Sequence, residues 1–129
     1  LEELGVIAGV ATEEVHPDQA YLLRKGELNR TIYVIVEGHI ELSSTSSAGW
    51  EGTIGVLGPH EVFGETSALD GAASSITAQA LLDDVRLLAL RGEDVSRLVR
   101  LYPEIGIGLL RASYNRVRLL EEMVMKMGS

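Results

Sequence analysis

The sequence predicts a mainly β fold: an antiparallel β-roll of the jelly-roll type (a double-stranded β-helix) with a short N-terminal helix and two C-terminal helices. Three observations predict it. Between Thr12 and Arg91, short runs rich in Val, Ile, Leu and Thr recur at even spacing and close on glycines. On either side of that stretch the apolar period changes from that of a strand to that of a helix. A composition of 46% hydrophobic and 23% charged residues belongs to a chain that packs a core. The 129 residues have room for one such core, so 1–129 is expected to form a single domain, with the roll at about 12–91 and the C-terminal helices at about 92–127.

Taken in order, Leu1, Leu4, Ile7 and Ala8 suit a short helix ending near Val10, weakened by Gly5 and Gly9. Ala20–Arg24 and Thr31–Val36 are β-rich and run to Gly26 and Gly38. His39–Ser43 alternates apolar and polar residues, so a hairpin is expected around Glu37-Gly38 with Ile40 and Leu42 on its inner face. The Ser/Gly-rich stretch from Ser44 to Gly52 reads as an exposed connection to a strand at Thr53–Leu57. Gly58-Pro59 precedes Val62-Phe63, and two further runs, Ser75–Leu82 and Val85–Leu90, are divided by the turn signal Asp83-Asp84. Glu93–Leu101 is amphipathic, and Pro103 opens a final helix. Along that helix Leu110, Val117, Leu120, Val124 and Met127 fall at heptad spacing, a stripe that will be buried and is suited to covering the open end of the roll.

Several function classes are disfavoured. A formal charge of −8 opposes a nucleic-acid backbone, so no DNA or RNA binding is expected of this chain alone. The absence of cysteine removes disulfides, thiolate metal sites and cysteine nucleophiles. His16, His39 and His60 lie at no metal-ligand spacing, so no metal is expected. No nucleophile elbow or phosphate loop is present, so no enzyme is expected. No apolar run approaches a membrane span and no signal-like segment opens the chain, which predicts a cytoplasmic domain without membrane insertion. The start within helical pattern at Leu1 and the terminal Gly128-Ser129 predict a piece of a longer protein.

The chemistry concentrates in Phe63–Ala80. A glycine and an acid, Gly64-Glu65, lead into a polar, short helix-like turn at Thr66–Leu69, and Gly71 then opens a run of small residues returning to a strand. Such a segment is either a surface excursion between strands or a cradle for a small anion, because small residues permit close backbone approach.

This segment resembles the phosphate-binding cassette of the cyclic nucleotide-binding domain family, whose pattern runs F-G-E-x-[AS]-L-x-x-G-x-P-R-[AST]-A-x-V-x-A. Phe63, Gly64, Glu65, Ser67, Gly71 and Ala80 align with it without a gap. The likeness extends to Leu22–Glu27, Ile32–Ile40, Leu57-Gly58-Pro59, Val85–Leu90 and Tyr102-Pro103-Glu104. It implies a cAMP- or cGMP-binding regulatory domain that needs no cofactor beyond its ligand, with a last helix that caps the nucleotide and pairs with its counterpart in a homodimer. On the ribose side, Glu65 would accept from the 2′-hydroxyl and Gly64 would admit the sugar. On the phosphate side would stand Thr66, Ser67, Ser74 and Ser75. Ser74 occupies the family's arginine position and Ala73 its proline position, and no basic residue lies nearby in the sequence. An arginine fork contributes two charge-assisted hydrogen bonds of about 1.5–3 kcal/mol each. Its loss predicts binding weakened by roughly 10²- to 10⁴-fold. The expectation is therefore a sensor within a larger protein, with an effector domain elsewhere and weak or lost nucleotide binding. The alternative is a structural or protein-interaction module that kept the roll and binds no ligand, and a different small ligand that needs no arginine is a third reading.

Overall fold

Two long antiparallel strands frame the molecule. The computed structural model describes residues 9–45, 48–49 and 51–104. In chain order these form β1 (Thr12–His16), β2 (Tyr21–Leu23), β3 (Thr31–Thr45), β4 (Glu51–Leu57), β5 (Val62–Phe63), α1 (Glu65–Asp70), β6 (Thr77–Arg91) and α2 (Gly92–Leu101). All six strands join one antiparallel sheet in the order β1-β6-β3-β4, with β2 also on β6 and β5 also on β3. The antiparallel roll with a helix following it is thus the predicted fold class.

The hairpin expected at Glu37-Gly38 is not there. β3 continues through that point, and both of its halves pair with β6, from Thr31 opposite Arg91 to Ser43 opposite Thr77. The register shifts between Ile35 and Glu37 and again between Glu37 and His39. Gly38, at φ +92°, therefore serves a bulge, a setting that draws on the same glycine chemistry as a tight turn. β6 bends in the matching place: Leu82 takes φ +75°, and the Asp83-Asp84 signal lies within the continuous strand. The two bends touch, since a Cβ on Gly38 would lie 2.8 Å from the Asp84 carbonyl oxygen and 3.1 Å from the Val85 α-carbon. The Ser44–Gly52 connection is also shorter than expected, because β3 runs on to Thr45 and β4 begins at Glu51.

The core fills the roll from its inner face. Ile35, Ile40, Leu42, Phe63, Val85 and Leu87 are fully buried, which confirms Ile40 and Leu42 as inward residues. Phe63 stacks on Tyr33 with ring centroids 4.9 Å apart. A second cluster of Ile32, Leu90 and Val95 gathers Val62, Ala68 and Val99 around it, and so packs the start of β3 and the end of β6 against both helices. After Leu101 the helix is interrupted at Tyr102, and the backbone is helical again at Pro103-Glu104. Most of the N-terminal helix expected over residues 1–10, and the heptad stripe from Leu110 to Met127 with its expected dimer contact, lie outside the described residues.

Candidate functional site

The segment singled out in the sequence is the connection between β5 and β6. Phe63 closes β5 inside the core, and the backbone then turns through Gly64 at φ +83° into α1. Only a residue without a Cβ sits comfortably there: a methyl group would lie 2.7 Å from the Thr31 carbonyl oxygen and 3.0 Å from Asn29 Nδ2. Gly64, Glu65, Thr66 and Ser67 are thereby gathered at the start of one short helix. The helix ends at Gly71, whose N–H donates to the Ser67 carbonyl at 2.9 Å. Asp70 caps its own turn by accepting from the Ala72 N–H at 2.8 Å.

Glu65 is 2% exposed, a carboxylate set within the wall of the roll. It is also the acid in the first turn of α1, so an acidic side chain of the protein already occupies that end of the helix. Ser67 is buried as well, and its hydroxyl oxygen accepts from Asn29 Nδ2 at 3.2 Å. Ser67 is left with an O–H able to donate.

On the return limb, Ser74 and Ser75 part company. Ser74 is 4% exposed, and its hydroxyl is engaged by local backbone, donating to the Ile76 carbonyl at 2.7 Å and accepting from the Ile76 N–H at 3.2 Å. Its backbone pairs with the β2–β3 turn: Gly26 N–H donates to the Ser74 carbonyl at 2.8 Å, and Ser74 N–H donates to the Glu27 carbonyl at 2.9 Å. Ser75 is exposed, and its carbonyl accepts from the Ser44 hydroxyl at 3.3 Å.

The same turn supplies a cation that proximity in sequence does not reveal. Lys25 N–H donates to Thr77 Oγ1 at 3.0 Å, and its ammonium group donates to Ser44 Oγ at 3.4 Å and to the Thr45 carbonyl. Lys25 thus stands one hydroxyl away from the backbone of Ser75. Two open grooves flank the segment. One, of about 590 Å³, lies between the β2–β3 turn, the far end of α1 and the start of α2, with Leu28, Leu69 and Arg91 in its lining. The other, of about 460 Å³, lies over the outer sheet face beside Lys25, Glu41, Thr53 and Gln79. Glu65 and Ser74 line neither. Among the described residues no group of three or more acidic, His or Cys side chains is placed to hold a metal ion. None of their helices is long and apolar enough to cross a membrane.

Residues 13–102 match the cyclic nucleotide-binding domain family across the roll, the segment just described and α2. The chain belongs to that family. This cyclic nucleotide-binding domain is 32% identical over 117 residues to the cyclic AMP receptor protein of Thermus thermophilus, covering 91% of this chain and 54% of that protein. It therefore spans about half the length of that relative. Among solved structures, the Thermus thermophilus catabolite activator protein superposes with a TM-score of 0.83 at 30% identity, covering 98% of this chain and 59% of the other. A cyclic nucleotide-binding domain from Methylobacillus flagellatus superposes with a TM-score of 0.87 at 22% identity, covering 98% and 72%, and so shares the fold.

In this domain, Lys25 and Asn29 are the residues that reasoning along the sequence passed over. Both sit in the β2–β3 turn and act on positions far along the chain. A sequence signal was present in part, since Lys25 falls within the Leu22–Glu27 stretch that resembles the family, whereas nothing in the local pattern distinguishes Asn29.

Proposed function

We propose that this chain is the ligand-sensing part of a larger cytoplasmic regulatory protein, and that it binds cAMP or cGMP weakly. Membership of the family and likeness to a protein named for cyclic AMP support the ligand class. In this reading Gly64 and Glu65 face the ribose, while Thr66, Ser67 and Ser75 offer N–H and hydroxyl groups to the phosphate. The observation that carries the weakness is the state of Ser74. At the position where the family places a guanidinium, this chain has a buried hydroxyl already bonded in both directions to Ile76. A neutral, engaged group supplies none of the charge that an arginine fork would bring.

The domain acts as a sensor rather than an enzyme. Ligand binding shifts the population of helix arrangements, which requires the ligand to favour one arrangement over another. The effector lies in the remainder of the parent protein, and two copies of the chain act together as a homodimer.

Calorimetric titration with cAMP and cGMP, on the chain and on its Ser74→Arg variant, tests this. The parent chain is expected to bind in the high micromolar to millimolar range, and the variant roughly 10²- to 10⁴-fold more tightly. If neither nucleotide gives heat at millimolar concentration with either protein, the sensor reading is lost, and a protein-interaction module that retained the roll takes its place.

A further inference from the structure

The β2–β3 turn grips both helices at adjacent residues. Asn29 Nδ2 donates to the Gly64 carbonyl at 3.1 Å and to Ser67 Oγ at 3.2 Å, both at the start of α1. The same amide is fixed to the turn itself: Nδ2 also donates to the Thr31 carbonyl at 2.8 Å, and Oδ1 accepts from the Thr31 N–H at 3.1 Å. One residue on, the Arg30 carbonyl accepts from the N–H of Gly92, the first residue of α2, at 2.8 Å.

The two helices also meet directly. The Gly92 α-carbon lies so close to the Ala68 carbonyl that an added Cβ would stand 2.4 Å from its oxygen. Ala68 N–H in turn donates to the Gly64 carbonyl that Asn29 holds, at 3.1 Å. The contacts therefore close a ring: Asn29 to Gly64, Gly64 to Ala68, Ala68 to Gly92, Gly92 to Arg30, and back along the chain to Asn29. Displacing either helix alone must break a hydrogen bond in this ring or drive a backbone carbonyl into an α-carbon. Small shifts at such a joint pass on as discrete rearrangements, because packed contacts do not deform continuously.

We infer that Asn29 is a positioning residue that locks the cassette helix α1 and the following helix α2 into one unit, so that neither moves without the other. This coupling is a property of the ligand-free chain and goes beyond the nucleotide-binding reading. If that reading holds, the ring is the route by which a ligand at α1 reaches α2.

Amide hydrogen exchange on the ligand-free 129-residue chain tests it. Asn29→Asp keeps an acceptor for the Thr31 N–H and removes the amide donors. It should speed exchange at Ala68, Gly71 and Gly92 together, by roughly tenfold, while Ile40 and Ala80 in the core keep their wild-type rates. Coupling is reciprocal, so Gly92→Ala, whose methyl group would stand 2.4 Å from the Ala68 carbonyl oxygen and so part the two helices at their contact, should loosen Ala68, Gly71 and position 92 together by a comparable factor. Should Asn29→Asp fail to fold, Asn29→Ser removes the same donors with less disturbance. Faster exchange at Ala68 and Gly71 with Gly92 unchanged overturns the inference. So does an equal rise at Ile40 and Ala80, which would make Asn29 a general stability residue. Calorimetry with cAMP on the same variants keeps the two readings apart: joint exchange without nucleotide binding counts against the sensor alone.

Discussion

Replacing Gly64 with alanine should destabilise the chain far more than the same change at Gly71, although both glycines lie in the left-handed region, at φ +83° and +75°. An L-residue in that conformation costs about 1–2 kcal/mol. The smaller conformational freedom of alanine in the unfolded chain offsets about 0.4–1 kcal/mol of this. At Gly71 nothing lies within 4 Å of an added Cβ, so the net cost should be only about 0.5–1 kcal/mol. At Gly64 the added methyl meets the Thr31 carbonyl oxygen at 2.7 Å and Asn29 Nδ2 at 3.0 Å. Overpacking of this kind adds about 1–3 kcal/mol, giving about 2–4 kcal/mol in all. Urea denaturation of the two variants gives the comparison, with the midpoint reporting stability and the slope checking that the same surface is exposed. In thermal melts Gly64→Ala should lower Tm by roughly 8–16 °C, at about 4 °C per kcal/mol for a chain of this size. Equal losses at the two sites, or a loss at Gly64 below about 1 kcal/mol, would refute the claim that the seat of α1 against β3 demands glycine.

Two further outcomes follow from strain and charge elsewhere in the roll. Burial first, and the charge of Glu14 second, raise the phenol of Tyr33 above its ordinary value, against a side-chain hydrogen bond with Thr31 that lowers it. The folded state therefore holds this proton more tightly than the unfolded state. The associated stability is complete below the unfolded phenol pKa of about 10 and is lost as pH rises from there through the folded value. Denaturation midpoints measured from pH 8 to 12 should fall more steeply for the wild type than for Tyr33→Phe, and parallel curves would show that Tyr33 titrates as a free phenol. Leu82 is 80% exposed at φ +75°, so Leu82→Gly should relieve about 1–2 kcal/mol of strain and cost about 0.5–1 kcal/mol in chain entropy. A net gain of about 0.5 kcal/mol is expected in the same urea assay, and a loss of stability would mean that the Leu82 side chain holds the bend.

The parts of the fold that were legible in the sequence are those set by local chemistry. The inward alternation of Ile40 and Leu42, the start of α1 after Gly64 and the amphipathic α2 each follow from period or punctuation within a few residues. The bends at Gly38 and at Leu82–Asp84 misled for the same reason. A glycine at positive φ and an Asp pair mark a reversal and a bulge alike, and only the pairing partner decides which forms. Within the site, Gly64, Glu65 and the serines were visible as a motif, but the engagement of the Ser74 hydroxyl by Ile76 was not. The roles of Asn29 and Lys25 were hidden because they are long-range: Asn29 meets Gly64 and Ser67, and Lys25 meets Thr77 and Thr45, across intervening strands.

The long pairing of β3 with β6 has a consequence for how such chains diversify. Its innermost pair, Ser43 opposite Thr77, closes a loop that contains β4, β5, α1 and the cassette as far as Ile76. The entropy of closing a flexible loop grows only with the logarithm of its length, about 0.6 kcal/mol per doubling. Residues can be added or exchanged in the exposed stretch 69–73 at little cost to that closure, whereas Ala68 must keep its packing against Ile32, Leu90 and Gly92. The frame and this exposed stretch can then vary almost independently. A longer loop inserted within residues 69–73 of this chain should therefore inherit a folded scaffold.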